Sequence, residues 1–148
     1  MAHKFKLQRL LDVREMIEEE KKTEMGNAVQ RLENEKRELI RLNHERENMS
    51  REFGVKAEKG TTVWKLQEMA GYIEYFKKAE KLQRLRIKMA ENYLEKCREE
   101  LIKASQEKKM IEKLKEIDLK KYLYEEQLKE AKIVDDLISF KEMRKEAK

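Results

Sequence analysis

Apolar residues recur along this chain every three to four positions, with no sustained alternation. From Met25 onward, Met25, Leu32, Leu39, Arg46 and Phe53 fall at one heptad position, and Ala28, Glu35, Leu42 and Met49 at the other. Upstream, Leu10, Val13 and Ile17 keep the spacing in a register shifted by one residue, which Glu20 interrupts. A second register follows. Leu66, Ile73, Ile87, Leu94 and Leu101 form one set, and Met69, Phe76, Ala90, Cys97, Ala104 and Ile111 form the other. Near Leu114 the register slips, and Leu114, Ile117, Tyr124, Leu128, Ala131 and Ile138 continue it. Spacing of this kind holds one apolar seam toward a partner helix.

Residues 54–62 read GVKAEKGTT and separate the two registers. Two glycines bracket the break, and a threonine can cap the helix that follows. The predicted fold class is all-α, a long antiparallel two-helix coiled-coil hairpin with unequal arms. It forms a single unit over 1–148, with a helix over about 4–53, a turn over about 54–61 and a helix over about 62–144. At about 1.5 Å per residue the arms measure roughly 75 and 120 Å. The longer arm then outruns its partner beyond about residue 112. The overhang keeps an apolar stripe of Tyr124, Leu128, Ala131 and Ile138, with Leu137 and Phe140 beside it. It either docks outside the chain or frays as a loose terminus.

Composition supports this reading. Of the 148 residues, 45% are charged, none is proline and four are glycine, too few turn formers for a sandwich, barrel or doubly wound domain. No run approaches the roughly 18 apolar residues of a membrane span. The start of the chain lacks the apolar core of a secretory signal, and the single Cys97 has no internal disulfide partner, which suits a reducing cytoplasm.

Residues 1–53 are balanced in charge, so residues 54–148 hold the whole excess of +5. Lys77, Lys78, Lys81, Arg84, Arg86 and Lys88, offset only by Glu80, form a basic stripe. It reads either as a solvated helix face or as a surface for an acidic partner or phosphates. Glu35, Arg46, Glu80, Gln83, Lys108 and Lys115 stand at nominal seam positions, where polar groups lower stability and fix register or partner.

No catalytic constellation is present. His3 and His44 lie far apart, no phosphate-binding glycine loop occurs, and no Cys/His spacing fits a metal. No cofactor is expected. Cys97 reads as a small buried hydrophobe on the seam. The segment from Val63 to Ala79 holds the only tryptophan, Trp64, with Tyr72, Tyr75 and Phe76. Tyr72, Phe76, Ala79 and Gln83 share one helical stripe. These aromatics either anchor a partner or thicken the core near the turn, with Trp64 packing on Phe53. Gly71 costs its helix about 1 kcal/mol against alanine.

The opening Phe5-Lys6-Leu7-Gln8-Arg9-Leu10-Leu11-Asp12 resembles the F-x-[FL]-Q-[KR]-L-L-[DE] start of the flagellar export protein FliJ family. Gly60-Thr61-Thr62-Val63, leading into Leu66, Met69, Tyr72 and Phe76, resembles that family's turn and second helix. The resemblance implies an antiparallel coiled coil similar to the γ subunit of rotary ATP synthase. It implies a non-enzymatic central stalk that enters the hexameric flagellar type III export ATPase and promotes its assembly and turnover. It further implies contact with the cytoplasmic domain of the export gate membrane protein and with export chaperones, at the cytoplasmic face of the membrane. Carried over by position, the gate contact would be Tyr72, Phe76, Ala79 and Gln83. The ring contact would be Leu7, Leu10 and Leu11 with Tyr124, Leu128, Ala131 and Ile138. A virulence-type secretion stalk would look much the same. The competing class is a structural or adaptor coiled coil, a dimer that binds an acidic partner or nucleic acid through residues 77–88.

Overall fold

The computed structural model describes residues 3–147. Among them two helices hold nearly every residue: α1 (Gln8–Lys59, 52 residues) and α2 (Val63–Glu146, 84 residues). They form an antiparallel two-helix coiled-coil hairpin with unequal arms, as the heptads predict.

The turn is shorter than the 54–61 segment read from sequence. Gly54 is helical, and α1 runs on to Lys59. A single glycine weakens a helix by only about 1 kcal/mol, and the seam continues beyond it to the half-buried Lys56. The chain reverses at Gly60, whose φ of 87° lies in the left-handed region that glycine enters without steric cost. Its N–H donates to the Lys56 carbonyl at 3.0 Å and closes the last turn of α1. Thr62 then caps α2, its Oγ1 accepting from the Lys65 N–H at 3.2 Å. Lys56 and Lys59 sit in the last turn of α1, where the helix dipole favours cations.

Contacts fall into two compact units, Glu20–Ile102 and Met1–Glu19 with Lys103–Lys148. In the first, Ala28 and Leu42 of α1 and Met69, Ala90 and Cys97 of α2 are buried. The polar seam residues pair across it. Arg46 donates from Nε to Glu80 Oε1 at 2.8 Å. The Gln83 amide donates to the Glu35 backbone carbonyl at 2.9 Å and also to the Glu35 carboxylate. Lys21 reaches Glu100 at 3.2 Å, and that hydrogen bond raises the Lys21 ammonium above the usual lysine value.

The second unit departs from the sequence reading in an instructive way. Its seam keeps the strict heptad. Leu11 is buried and Arg14 half-buried, and the buried Glu18 follows in the same register, whereas Leu10 and Val13 are exposed. The one-residue shift read upstream therefore does not occur. Nor does the slip near Leu114. Asp118 and Tyr122 continue the spacing of Ala104, Lys108 and Ile111, while Leu114 and Ile117 point outward. Ion pairs dominate this seam: Lys108 with Glu18 at 2.9 Å and Arg14 with Glu107 at 2.6 Å. The Glu18 carboxylate raises the Lys108 ammonium. Near the start of the chain His3 Nε2 meets Asp118 Oδ2 at 2.5 Å and stacks on Tyr122, with ring centroids 4.4 Å apart. The pairing thus reaches Tyr122, about ten residues past the expected limit. Lys115, expected on the seam, is exposed.

Candidate partner-binding surfaces

In the unit of Met1–Glu19 and Lys103–Lys148 the usual distribution is reversed. Charged groups share the seam with Leu11, Ala104 and Ile111, and many large apolar groups face outward. Leu7, Leu10, Val13, Leu114, Ile117, Leu119 and Leu123 are all substantially exposed. Beyond Tyr122, residues 127–147 are exposed throughout. Two apolar stripes run along this stretch. Tyr124, Leu128, Ala131 and Ile138 lie on one side. Ile133, Leu137 and Phe140, at i, i+4 and i+7, lie well round the helix from them, at about 100° per residue. A helix that is apolar on more than one side is normally buried. Of the residues expected to meet a ring, Leu7, Leu10, Tyr124, Leu128, Ala131 and Ile138 are exposed in this unit. Leu11 is packed into the seam and unavailable. Sequence reading missed Val13 and Ile133, because it followed one apolar stripe and assigned Val13 to the seam.

The unit Glu20–Ile102 presents a different surface. Glu68, Gly71, Tyr72, Tyr75 and Phe76 line an apolar groove of about 410 Å³ on α2. Tyr75 and Phe76 meet edge to face, centroids 5.4 Å apart. No atom stands within 4 Å of the position a Cβ on Gly71 would take, so packing within the chain does not require that glycine. The groove brings together Tyr72 and Phe76 of the expected stripe. Ala79 is half-buried, and Gln83, 3% exposed, is committed to Glu35. Trp64 is 71% exposed and so does not form the core layer with Phe53 that one reading expected.

The six basic residues do not share one face. Lys77, Lys81, Arg84 and Lys88, spaced by four, three and four, line one flank of α2. Lys78 and Arg86 lie on the other, where Arg86 acts on Glu38 of α1. Arg84 is drawn to Glu80 at 3.8 Å.

Cys97 is buried, as its seam position predicts, and its hydrogen bond with Tyr93 raises the Tyr93 phenol. His44 is exposed on α1. Among the described residues no group of three His, Cys, Asp or Glu side chains is placed to hold a metal, and no helix is long and apolar enough to cross a membrane.

The chain is similar to known proteins in sequence pattern and in fold. Residues 3–147 match the family described as flagellar FliJ protein. A solved structure from Chlamydia trachomatis, described as the YscO homolog CT670, covers 99% of this chain and 99% of its own, with a TM-score of 0.67 at 19% sequence identity. That likeness is one of fold. No curated protein matches the chain. With its family match running almost from end to end, the chain belongs to the FliJ family and, with it, to flagellar type III export.

Proposed function

We propose that this protein is the non-enzymatic central stalk and regulator of the flagellar type III export ATPase. In this role it enters the hexameric ring, promotes ring assembly and ATP turnover, and works in the cytoplasm at the face of the membrane. One observation carries the reading. The unit of Met1–Glu19 and Lys103–Lys148 places ion pairs in its seam and turns most of its large apolar side chains outward, on several sides. Each such side chain gains about 1.5–3 kcal/mol when fully buried. A partner that surrounds the helix, as a ring does, collects that energy from every side, whereas a flat partner reaches only one stripe.

Ring assembly tests it. Sedimentation of the cognate ATPase, at a concentration where it is mainly subhexameric, should shift to the hexamer when this protein is added. An unchanged distribution would remove the stalk role.

The groove around Tyr72 and Phe76 suits contact with the cytoplasmic domain of the export gate. The reading needs no contribution from Gln83, which is held inside the seam. Gly71 leaves the groove floor open at a cost of about 1 kcal/mol in helix propensity. Half-exposed Tyr72 is the anchor available to a partner. Tyr72→Ala should weaken binding to the gate domain about tenfold, a loss of about 1.4 kcal/mol. Equal titration curves for the two proteins would take the groove out of the gate contact. Export chaperones complete the set of proposed partners.

A further inference from the structure

On α2 a second heptad runs beside the seam. Tyr75, Lys78, Leu82, Leu85 and Met89 repeat the three-four spacing of the seam itself. All five are exposed. The four apolar members are between 54% and 64% exposed. Leu82, Leu85 and Met89 wall a groove of about 480 Å³, with Arg86 beside them and Arg31 and Glu35 across on α1.

The charges at its rim are not balanced. Glu35 is held by Gln83. Glu38 accepts two hydrogen bonds from Arg41, at 2.6 and 2.9 Å, which hold its carboxyl below the usual carboxylate range. Among the described residues Arg31, Lys78 and Arg86 are exposed cations beside the groove, and only Arg86 acts on an acid across it, Glu38, without a hydrogen bond. Glu35 and Glu38 are each held by a hydrogen-bonding partner, so the cations outnumber the acids left to meet a ligand at this rim.

We propose that the stripe Tyr75–Lys78–Leu82–Leu85–Met89, with Arg31 and Arg86 at its rim, docks an acidic amphipathic helix of a partner protein. Two features of the surface select this occupant. A three-four apolar repeat accepts a helix lying nearly along α2, its own apolar residues packing between Leu82, Leu85 and Met89. The excess of cations, Arg31, Lys78 and Arg86, favours Glu and Asp on the flanks of that helix and sets its orientation. A second copy of this chain fits poorly, because it would bring a like set of cations to the same rim. Methionine suits such a surface, since its flexible thioether adapts to the side chain it meets. The site lies on the α2 face that carries Leu82 and Met89, outside the proposed ring contact, and shares only Tyr75 with the groove at Tyr72 and Phe76.

Fluorescence anisotropy of the full-length protein with two synthetic peptides tests the proposal. Both are about three heptads long with leucine at the a and d positions. One carries glutamate on its flanks and the other lysine. The glutamate peptide should bind saturably, at least tenfold more tightly than the lysine peptide, and should weaken as salt rises. Leu82→Glu with Met89→Glu should weaken it at least tenfold. Both positions are exposed, so the helical circular dichroism and thermal midpoint of the variant should match the parent. Arg31→Glu with Arg86→Glu should erase the preference for the glutamate peptide. Absence of saturable binding, equal binding of the two peptides, or full binding by the Leu82/Met89 variant would each overturn the proposal. So would a concentration-dependent dimer dispersed by those two substitutions, which would give the face to a second copy.

Discussion

Replacing Arg46 with alanine is expected to destabilise the hairpin by about 3 kcal/mol. Glu80 is the reason. Its side chain is only 4% exposed, and the Arg46 Nε lies 2.8 Å from its Oε1. Removing the guanidinium leaves a carboxylate in a site that water barely reaches. Breaking a buried pair in this way costs about 3–5 kcal/mol. Arg84, 3.8 Å away on an exposed position, compensates only in part, which sets the expectation at the lower end. The thermal midpoint should fall by about 6–12 °C for a chain of this size. The contrasting variant is Arg46→Leu with Glu80→Leu. A hydrophobic pair fills the same layer without desolvating charge, and should be neutral or stabilising by about 1–4 kcal/mol. The pair then serves register rather than stability, holding the two helices in one alignment. Chemical denaturation of the three proteins decides the matter. A loss below about 0.5 kcal/mol in Arg46→Ala would mean that Glu80 is better solvated than its burial implies.

Deleting residues 123–148 is expected to abolish stimulation of the export ATPase while leaving the remaining hairpin as stable as before. The last ring contact to the start of the chain is the stack of His3 on Tyr122. Past it, Leu123, Tyr124, Leu128, Ile133, Val134, Leu137, Ile138, Phe140 and Met143 are all at least half exposed. Removing side chains this exposed costs little, within about 0.5 kcal/mol. An isolated helix of this length is marginal in water, so the stretch gains its order from what it binds. Helical signal should drop by the share of the deleted residues, with the melting transition unmoved. Stimulation that survives the deletion would confine the ring contact to Leu7, Leu10 and Val13.

The hairpin was legible because the seam between about Met25 and Ile111 is mostly apolar and repeats every seven residues. At both ends that signal misleads. Leu10, Val13, Leu114 and Ile117 are the apolar residues, but Arg14, Glu18, Lys108 and Asp118 hold the seam. Following hydrophobicity shifted the register. Extending the seven-residue spacing upstream would have reached Glu18, the partner of Lys108, which already stood at a seam position. The turn was placed too broadly because Gly54 was read as a breaker, whereas the chain reverses only where φ becomes positive, at Gly60. Gln83 shares a helical stripe with Tyr72 and Phe76, and spacing alone does not say which members are exposed. Its amide bond to the Glu35 backbone depends on how the two helices align. The second heptad on α2 stood in the sequence beside the first, and only burial shows which of the two the chain fills itself.

ATP turnover by the cognate export ATPase, measured against increasing amounts of this protein at fixed salt, tests the central claim most directly. The stalk account predicts a rate that rises and saturates near one copy of this protein per hexamer. A rate that stays flat across the titration would contradict it.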